Sequence, residues 1–267
     1  MSRLQLAFTQ RPAFMPYFPL GYPTPEISLA VMAALARGGA HLIEVGIPFS
    51  DPLADGPVIQ QATQQALANG MTVERALAAV AELRARGVTI PLVLMSYYNP
   101  LLAYGLQRLA AAATQVGADG FIVPDLPPEE AGDFTAALAP TSLPLIRMLA
   151  PTSTADRIAA ITRGAEGFLY LVSLTGTTGA RENMPPELPE FVARVRAALQ
   201  AAQRPDLPLC VGFGIGTPEQ ARAVGQLADG VIVGSACVRR VGEASDPVEA
   251  AERFAREFAA IARPVGG

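Results

Sequence analysis

The chain has 267 residues, 51% hydrophobic and only 16% charged, with a formal net charge of −4. That length accommodates one large α/β barrel or two small domains, and the apolar fraction supports a sizeable core. The mild acidity and the lack of a basic patch argue against a nucleic-acid partner. No run reaches 18 apolar residues and no export signal opens the chain, so a soluble, cytoplasmic protein without a membrane partner is expected.

Along the chain, short apolar runs alternate with Ala/Leu/Arg-rich stretches of helical period. Strands are predicted at 14–20, 41–46, 91–96, 119–123, 143–148, 166–172, 208–212 and 230–233. Helices are predicted at 26–37, 58–86 with a break at Asn69-Gly70, 103–116, 128–138, 154–163, 187–202, 217–227 and 247–262. Thr24, Thr72 and Thr217 each precede an acid or a Pro and read as helix caps. Runs such as Pro91–Met95 and Gly230–Val233 are apolar throughout, as strands of a parallel sheet buried on both faces must be. Eight strands alternating with eight helices define a (β/α)8 TIM barrel. The expected barrel carries an extra short N-terminal segment and a short phosphate-facing helix after Gly234-Ser235. A doubly wound open sheet is the alternative, but Leu20-Gly21-Tyr22-Pro23 lacks the glycine fingerprint that such sheets carry after their first strand. Nothing marks a linker, so residues 1–267 are expected to form one barrel domain.

Several reactive groups are missing. All 20 basic residues are Arg, so no side-chain amine exists to form an imine. His41 is the sole histidine and opens a strand, at the end of a barrel concerned with stability, which leaves no metal site expected. Cys210 and Cys237 lie in or beside apolar runs without metal-type spacing, consistent with a reduced setting. Chemistry must then rest on carboxylates, hydroxyls, backbone amides and the substrate.

The C-terminal ends of barrel strands carry active sites, and the least ordinary residues fall there. Glu44 sits inside the apolar stub Ile43-Glu44-Val45, and Asp55 in the Pro/Gly/Asp-rich loop that follows. Two carboxylates in different surroundings are pushed to different pKa values, which separates an acid from a permanent charge. A structural hydrogen bond at the strand end is the plainer account of Glu44. On the first account Glu44 has a raised pKa and Asp55, in a polar loop, does not. Glycines in Gly212-Phe213-Gly214 and Gly234-Ser235, each ahead of a helix, suit a phosphate group, although glycine also serves tight turns. The polar 174–189 loop reads as a lid or as a passive surface loop. Tyr17, Tyr97, Tyr170 and Phe213 near strand ends are either core or the wall of a flat apolar pocket.

The whole stretch Glu44–Pro57, with Tyr97-Tyr98-Asn99-Pro100, Val123-Pro124-Asp125-Leu126-Pro127, Gly176–Gly179, Gly212–Ile215 and Gly234-Ser235, resembles the tryptophan synthase α-subunit family. These motifs occur in that family's order and cover nearly the whole chain. Tyr22 stands where many members carry Asp. The resemblance implies retro-aldol cleavage of indole-3-glycerol phosphate to indole and glyceraldehyde 3-phosphate, a carbon–carbon lyase step in tryptophan biosynthesis. It implies Glu44 as general acid/base and Asp55 as the ionised partner of the indole N–H. Gly179, Gly214, Gly234 and Ser235 would contact phosphate. Tyr17, Tyr97, Tyr170 and Phe213 would line the indole pocket, with Thr178 in the lid and Asp125 near a partner. That partner would be a β subunit carrying pyridoxal phosphate, in an α2β2 heterotetramer; no cofactor is expected in this chain. A stand-alone lyase of the same family would carry the same residues. Another phosphate-binding barrel would not need the Glu44-to-Asp55 signature, and intact carboxylates argue against a purely regulatory subunit.

Overall fold

The computed structural model describes residues 1–172, 186–212 and 214–264. In chain order the elements are α1 (Arg3–Leu6), β1 (Gln10–Arg11), β2 (Ala13–Pro19), α2 (Pro25–Arg37), β3 (Ile43–Gly46), α3 (Pro57–Ala68), α4 (Val73–Ala85) and β4 (Leu92–Met95). There follow α5 (Tyr98–Tyr104), α6 (Leu106–Val116), β5 (Gly120–Ile122), α7 (Gly132–Leu138), β6 (Leu145–Leu149), α8 (Ala155–Gly164) and β7 (Leu169–Val172). The last are α9 (Leu188–Ala201), β8 (Leu209–Gly212), α10 (Pro218–Gly225), β9 (Gly230–Val233), α11 (Ser235–Gly242), α12 (Pro247–Ala259) and β10 (Arg263–Pro264).

Strands β2 to β9 form a closed parallel barrel in sequence order, sealed where Ala13–Pro16 of β2 pair with Gly230–Val233 of β9. This is the (β/α)8 architecture that the eight apolar runs predict. Alternation along each strand splits the core in two. Met15, Val93, Ile122, Ile146, Tyr170, Cys210 and Ile232 fill the interior of the barrel. Phe14, Phe18, Ile43, Val45, Leu94 and Phe121 face the helices. Phe14 stacks on Phe258 at 5.3 Å, with Phe254 beside it, which seats α12 against β2.

The caps fall where Thr residues predict them: Thr24, Thr72 and Thr217 accept the N–H groups of Ile27, Arg75 and Gln220. Other boundaries differ from expectation. The helix predicted at 103–116 starts earlier and is cut into α5 and α6 by Gly105, whose φ of +95° no helix continues through. The helix predicted at 128–138 begins only at Gly132, because turns occupy the residues after Pro127-Pro128. The short α1 and the antiparallel pair β1–β10 lie outside the predicted elements.

Two equivalent acidic clusters close the N-terminal end of the barrel. Ala118-Asp119-Gly120 and Ala228-Asp229-Gly230 repeat one tripeptide ahead of β5 and β9. Asp119 accepts the Leu92 N–H at 2.9 Å, and Asp229 accepts the Leu209 N–H at 2.8 Å, so each carboxylate ties its strand to the preceding one. Each carries two guanidinium partners: Arg3 and Arg84 on Asp119, Arg11 and Arg196 on Asp229. Asp229 is 5% exposed, so removing it strands a buried N–H and two arginines. Asp229→Ala should lower the free energy of unfolding by about 2–4 kcal/mol in urea titrations, at the upper end if the arginines find no new partner.

Candidate active site

At the opposite, C-terminal end of the barrel, β3 presents Glu44. Leu42 belongs to the inner cluster, and alternation puts Glu44 and Gly46 on the same inward face. Tyr17 of β2 is its register partner on one side and Val93 of β4 on the other. Glu44 is 1% exposed, and neither carboxyl oxygen has a hydrogen-bond partner among the described residues. Burial alone therefore disfavours its charged form and pushes its pKa up to about 8. At pH 7 the group is a neutral acid. Among the described residues Glu44 thus lacks the structural hydrogen bond that would be the plainer explanation of a strand-end Glu.

Above Glu44 a cleft opens, lined by Tyr17, Ile47, Phe49, Asp55, Thr63, Ser96 and Tyr97 among others. Asp55 lies one residue before Gly56, the cap of α3, so the positive end of that helix adjoins it. Gln60 of α3 holds the Asp55 carbonyl at 2.8 Å. The Tyr97 hydroxyl donates to Asp55 Oδ2 at 3.1 Å and accepts the Ala54 N–H at 2.8 Å. Ser96 adds a second tie between the β4 end and the β3 loop by donating to the Ile47 carbonyl. The expectation of an unraised Asp55 pKa is incorrect. Burial pushes it up to about 6, and the Tyr97 hydrogen bond only partly opposes this. The loop is polar in sequence and Asp51, Leu53 and Ala54 stay exposed, but its Asp55 end turns into the cleft, and a sequence does not show that desolvation. Asp55 nevertheless remains ionised at pH 7, while Glu44 does not.

The predicted aromatics are drawn together only in part. Tyr17 and Tyr97 line the cleft. Tyr170 is 8% exposed and lies deeper in the barrel, close enough to Glu44 and Asp55 for both to raise its pKa after burial. Gly46 and Gly212 give room to these rings, since a Cβ at either would collide with the hydroxyl of Tyr17 or Tyr170. Gly234 caps α11, packs beside Tyr17 and Ile59, and leaves the first-turn N–H groups of that helix without a side-chain cap, an arrangement suited to an anion. Ser235 is the first residue of α11. Gly214, in the loop after β8, has a φ of +35°. Asp125 is exposed and outside the cleft, where it accepts the Tyr98 N–H at the start of α5. Gly179, Thr178, Phe213 and most of the 174–189 loop lie outside the described residues. His41, at the other end of the barrel, accepts the Phe14 N–H through Nδ1, the structural part expected of it. Among the described residues no group of three or more His, Cys, Asp or Glu is arranged to hold a metal ion, and no helix is long and apolar enough to cross a membrane.

Sequence reading missed Thr63 and Phe49. Thr63 is 3% exposed, on the buried stripe of α3 with Ile59, Ala62 and Ala66, and it lines the cleft together with Tyr17. A Thr among apolar residues at helical spacing was the available signal. Phe49 packs on Tyr97 with ring centres 5.4 Å apart, a contact between loops that no periodicity reveals.

Fold and site together define a (β/α)8 barrel with a dry acid and a partly buried carboxylate at its C-terminal mouth. The family described as tryptophan synthase alpha chain matches residues 4–263. The tryptophan synthase alpha chain of Chloroflexus aurantiacus is 49% identical over 272 residues, covering 99% of this chain and all of that one. The alpha chain of Geobacillus stearothermophilus is 46% identical, covering 94% and 92%. Among solved structures, an alpha chain from Legionella pneumophila superposes with a TM-score of 0.87 at 35% identity, covering 98% and 97%. A Mycobacterium tuberculosis tryptophan synthase chain does so with 0.87 at 40%, covering 97% and 98%. The chain belongs to the tryptophan synthase alpha chain family.

The Glu44 shift predicts a pH-dependent stability. Between about 4.5 and about 8 the folded protein keeps a proton on Glu44 that the unfolded chain releases, so stability falls as pH rises through that window. Glu44→Gln removes this dependence, whatever constant cost the buried amide brings. The stability difference, variant minus wild type, should increase by about 2–4 kcal/mol between pH 5 and pH 9 in denaturant titrations; a difference flat with pH would rule out a buried neutral acid.

Proposed function

We propose that the chain cleaves indole-3-glycerol phosphate by a retro-aldol reaction, releasing indole and glyceraldehyde 3-phosphate. The observation that carries this reading is the pair of carboxyl groups at one barrel mouth in different surroundings, Glu44 enclosed without a hydrogen-bond partner among the described residues and Asp55 bonded by the Tyr97 hydroxyl, which separates their pKa values to about 8 and about 6. At neutral pH one is an acid and the other a charge, which is the division of labour the reaction needs.

Glu44, protonated, donates to carbon 3 of the indole ring. The ring becomes a cationic iminium and serves as the electron sink, so no lysine imine is required. The Glu44 carboxylate then takes the proton from the hydroxyl next to the breaking bond. The carbon–carbon bond cleaves, its electron pair returns to the ring, and the aldehyde leaves, with Glu44 protonated again. Asp55 accepts the indole N–H and stabilises the cationic ring electrostatically. Tyr17, Tyr97, Tyr170 and Phe213 hold the flat ring. Gly234 and Ser235 at the α11 N-terminus, with Gly179 and Gly214, hold the phosphate, and Thr178 belongs to the lid.

We propose further that a β subunit, bearing the pyridoxal phosphate, covers this mouth in an α2β2 assembly and takes up the indole. Leu53, in the loop between the two carboxylates, is 93% exposed, and Leu102 on α5 is 49% exposed. Large apolar side chains so placed favour a protein partner at this end, with Asp125 near the contact. Solution in the cytoplasm accords with the same reading.

Indole release by the purified chain, with and without a tryptophan synthase β subunit, tests both parts. Slow release accelerated by β supports an assembly-dependent α subunit. Fast release indifferent to β would move the assignment to a stand-alone lyase, and no release in either condition would sink it. The plot of kcat/KM against pH should be bell-shaped with limbs near 6 and near 8, because activity requires Asp55 ionised and Glu44 protonated. Asp55→Asn should reduce indole formation by about a hundredfold or more while melting like the wild type.

A further inference from the structure

Tyr97 is placed to do more than line a wall. It is the residue before α5, and its backbone is fixed there because Asp125 accepts the next N–H, that of Tyr98, at 2.8 Å. Its ring is held by Phe49 at 5.4 Å, and the side chain is 6% exposed. Its hydroxyl then makes two bonds into one short segment of the β3 loop. It accepts the Ala54 N–H at 2.8 Å and donates to Asp55 Oδ2 at 3.1 Å. One bond fixes the backbone just before Asp55 and the other fixes the carboxylate.

We infer that Tyr97 is a positioning residue, whose hydroxyl aims the Asp55 carboxylate into the cleft and holds it in its charged form. The inference rests on the part given to Asp55 under Proposed function. A phenol fixed in this way donates to the carboxylate but has nothing comparable to offer the protonated acid, so it favours ionisation where burial opposes it. The described titratable groups that interact electrostatically with Asp55 are Tyr17 from β2, Tyr97, and Tyr170 from β7. Glu44 of β3 faces Tyr17 and Tyr170 in the barrel below and is neutral at pH 7. Among these the Tyr97 hydroxyl is the group that hydrogen-bonds the charge. Burial and the adjacent Asp55 charge push the Tyr97 phenol far above its ordinary pKa, so it stays a donor over the whole range in which Asp55 titrates.

Tyr97→Phe tests the inference, because it keeps the ring and its contact with Phe49 and removes only the hydroxyl. A hydrogen bond to a charged group is equivalent to about one to two pH units in the acceptor's titration. The acid limb of kcat/KM should therefore move from near 6 to between about 7 and about 8. At the lower displacement the variant loses about fivefold at pH 6 and less than about twofold at pH 8. A loss of equal size at every pH would mark a merely structural contact, and no loss would remove Tyr97 from the machinery; either overturns the inference. A carboxyl 13C titration of Asp55, assigned by the signal absent from Asp55→Asn, reads the same displacement without turnover. The midpoint should be higher in Tyr97→Phe than in wild type, and equal midpoints overturn the inference. If wild type releases no indole yet the midpoint moves, the lyase reading fails while the hold of Tyr97 on Asp55 stands.

Discussion

A carboxyl group enclosed in the barrel, with neither oxygen hydrogen-bonded among the described residues, is the constraint around which the C-terminal mouth of the barrel is organised. Burying a polar group without a partner is unfavourable, and burying it as an anion far more so. Glu44 takes the less costly course and keeps its proton. Nothing polar in the described structure relaxes that condition. Tyr17 in register beside it and Tyr170 within the barrel are themselves desolvated phenols with raised pKa values. Both rings fit only because the neighbouring strands offer Gly46 and Gly212 under their hydroxyls. The glycines on these strands are thus part of the same arrangement as the acid they surround.

The two ends of the barrel treat carboxylates in opposite ways, and the contrast separates stability from chemistry. Asp119 and Asp229 each meet a backbone N–H and two guanidiniums, so their charge is fully compensated and staples adjacent strands. Glu44 has none of this, and Asp55 has one phenol and the N-terminus of α3. An uncompensated acid contributes nothing to holding strands together. Its position fits the acid/base part proposed for it: a group kept protonated near neutrality is ready to give a proton and, once it has, to take one back. The strand ends where barrels place their chemistry are the ends where this chain leaves its carboxyl groups under-satisfied.

Much of this was legible in the residues. Strands apolar throughout announced a parallel barrel, and three Thr caps fixed three helix starts to within a residue. Glu44 stood out because a Glu within Ile43-Glu44-Val45 has to be explained. The features that escaped are those created by distant chain segments meeting. Gly105 looks like any glycine in a helical stretch until its positive φ divides α5 from α6. Thr63 and Phe49 gain their meaning from Tyr17 and Tyr97, which are far from them in sequence. Asp55 was the instructive error. Its neighbours Pro52, Asp51 and Gly56 describe a solvated loop, and only the closed barrel shows that the Asp55 end of that loop turns into the cleft and loses water.

That inward turn sets the problem which the Tyr97 hydroxyl addresses. Desolvation strengthens every electrostatic interaction in the cleft, so in the proposed reaction a charge on Asp55 would act on a cationic ring more strongly there than it would in water. The same desolvation raises the carboxylate towards protonation, where it would lose that charge. A single donor offsets the second effect without cancelling the first, because it supplies a hydrogen bond but no positive charge to neutralise the field. An arginine in its place would hold the carboxylate ionised more firmly, yet it would compete with the ring for the charge it is meant to stabilise. The Tyr97 bond engages Oδ2, and a carboxylate has a second oxygen with lone pairs of its own, so an indole N–H can be accepted while the phenol keeps its hold. A phenol anchored on the β4 end, donating to one oxygen and fixing the preceding N–H, meets the demands of a site that must be dry and charged together.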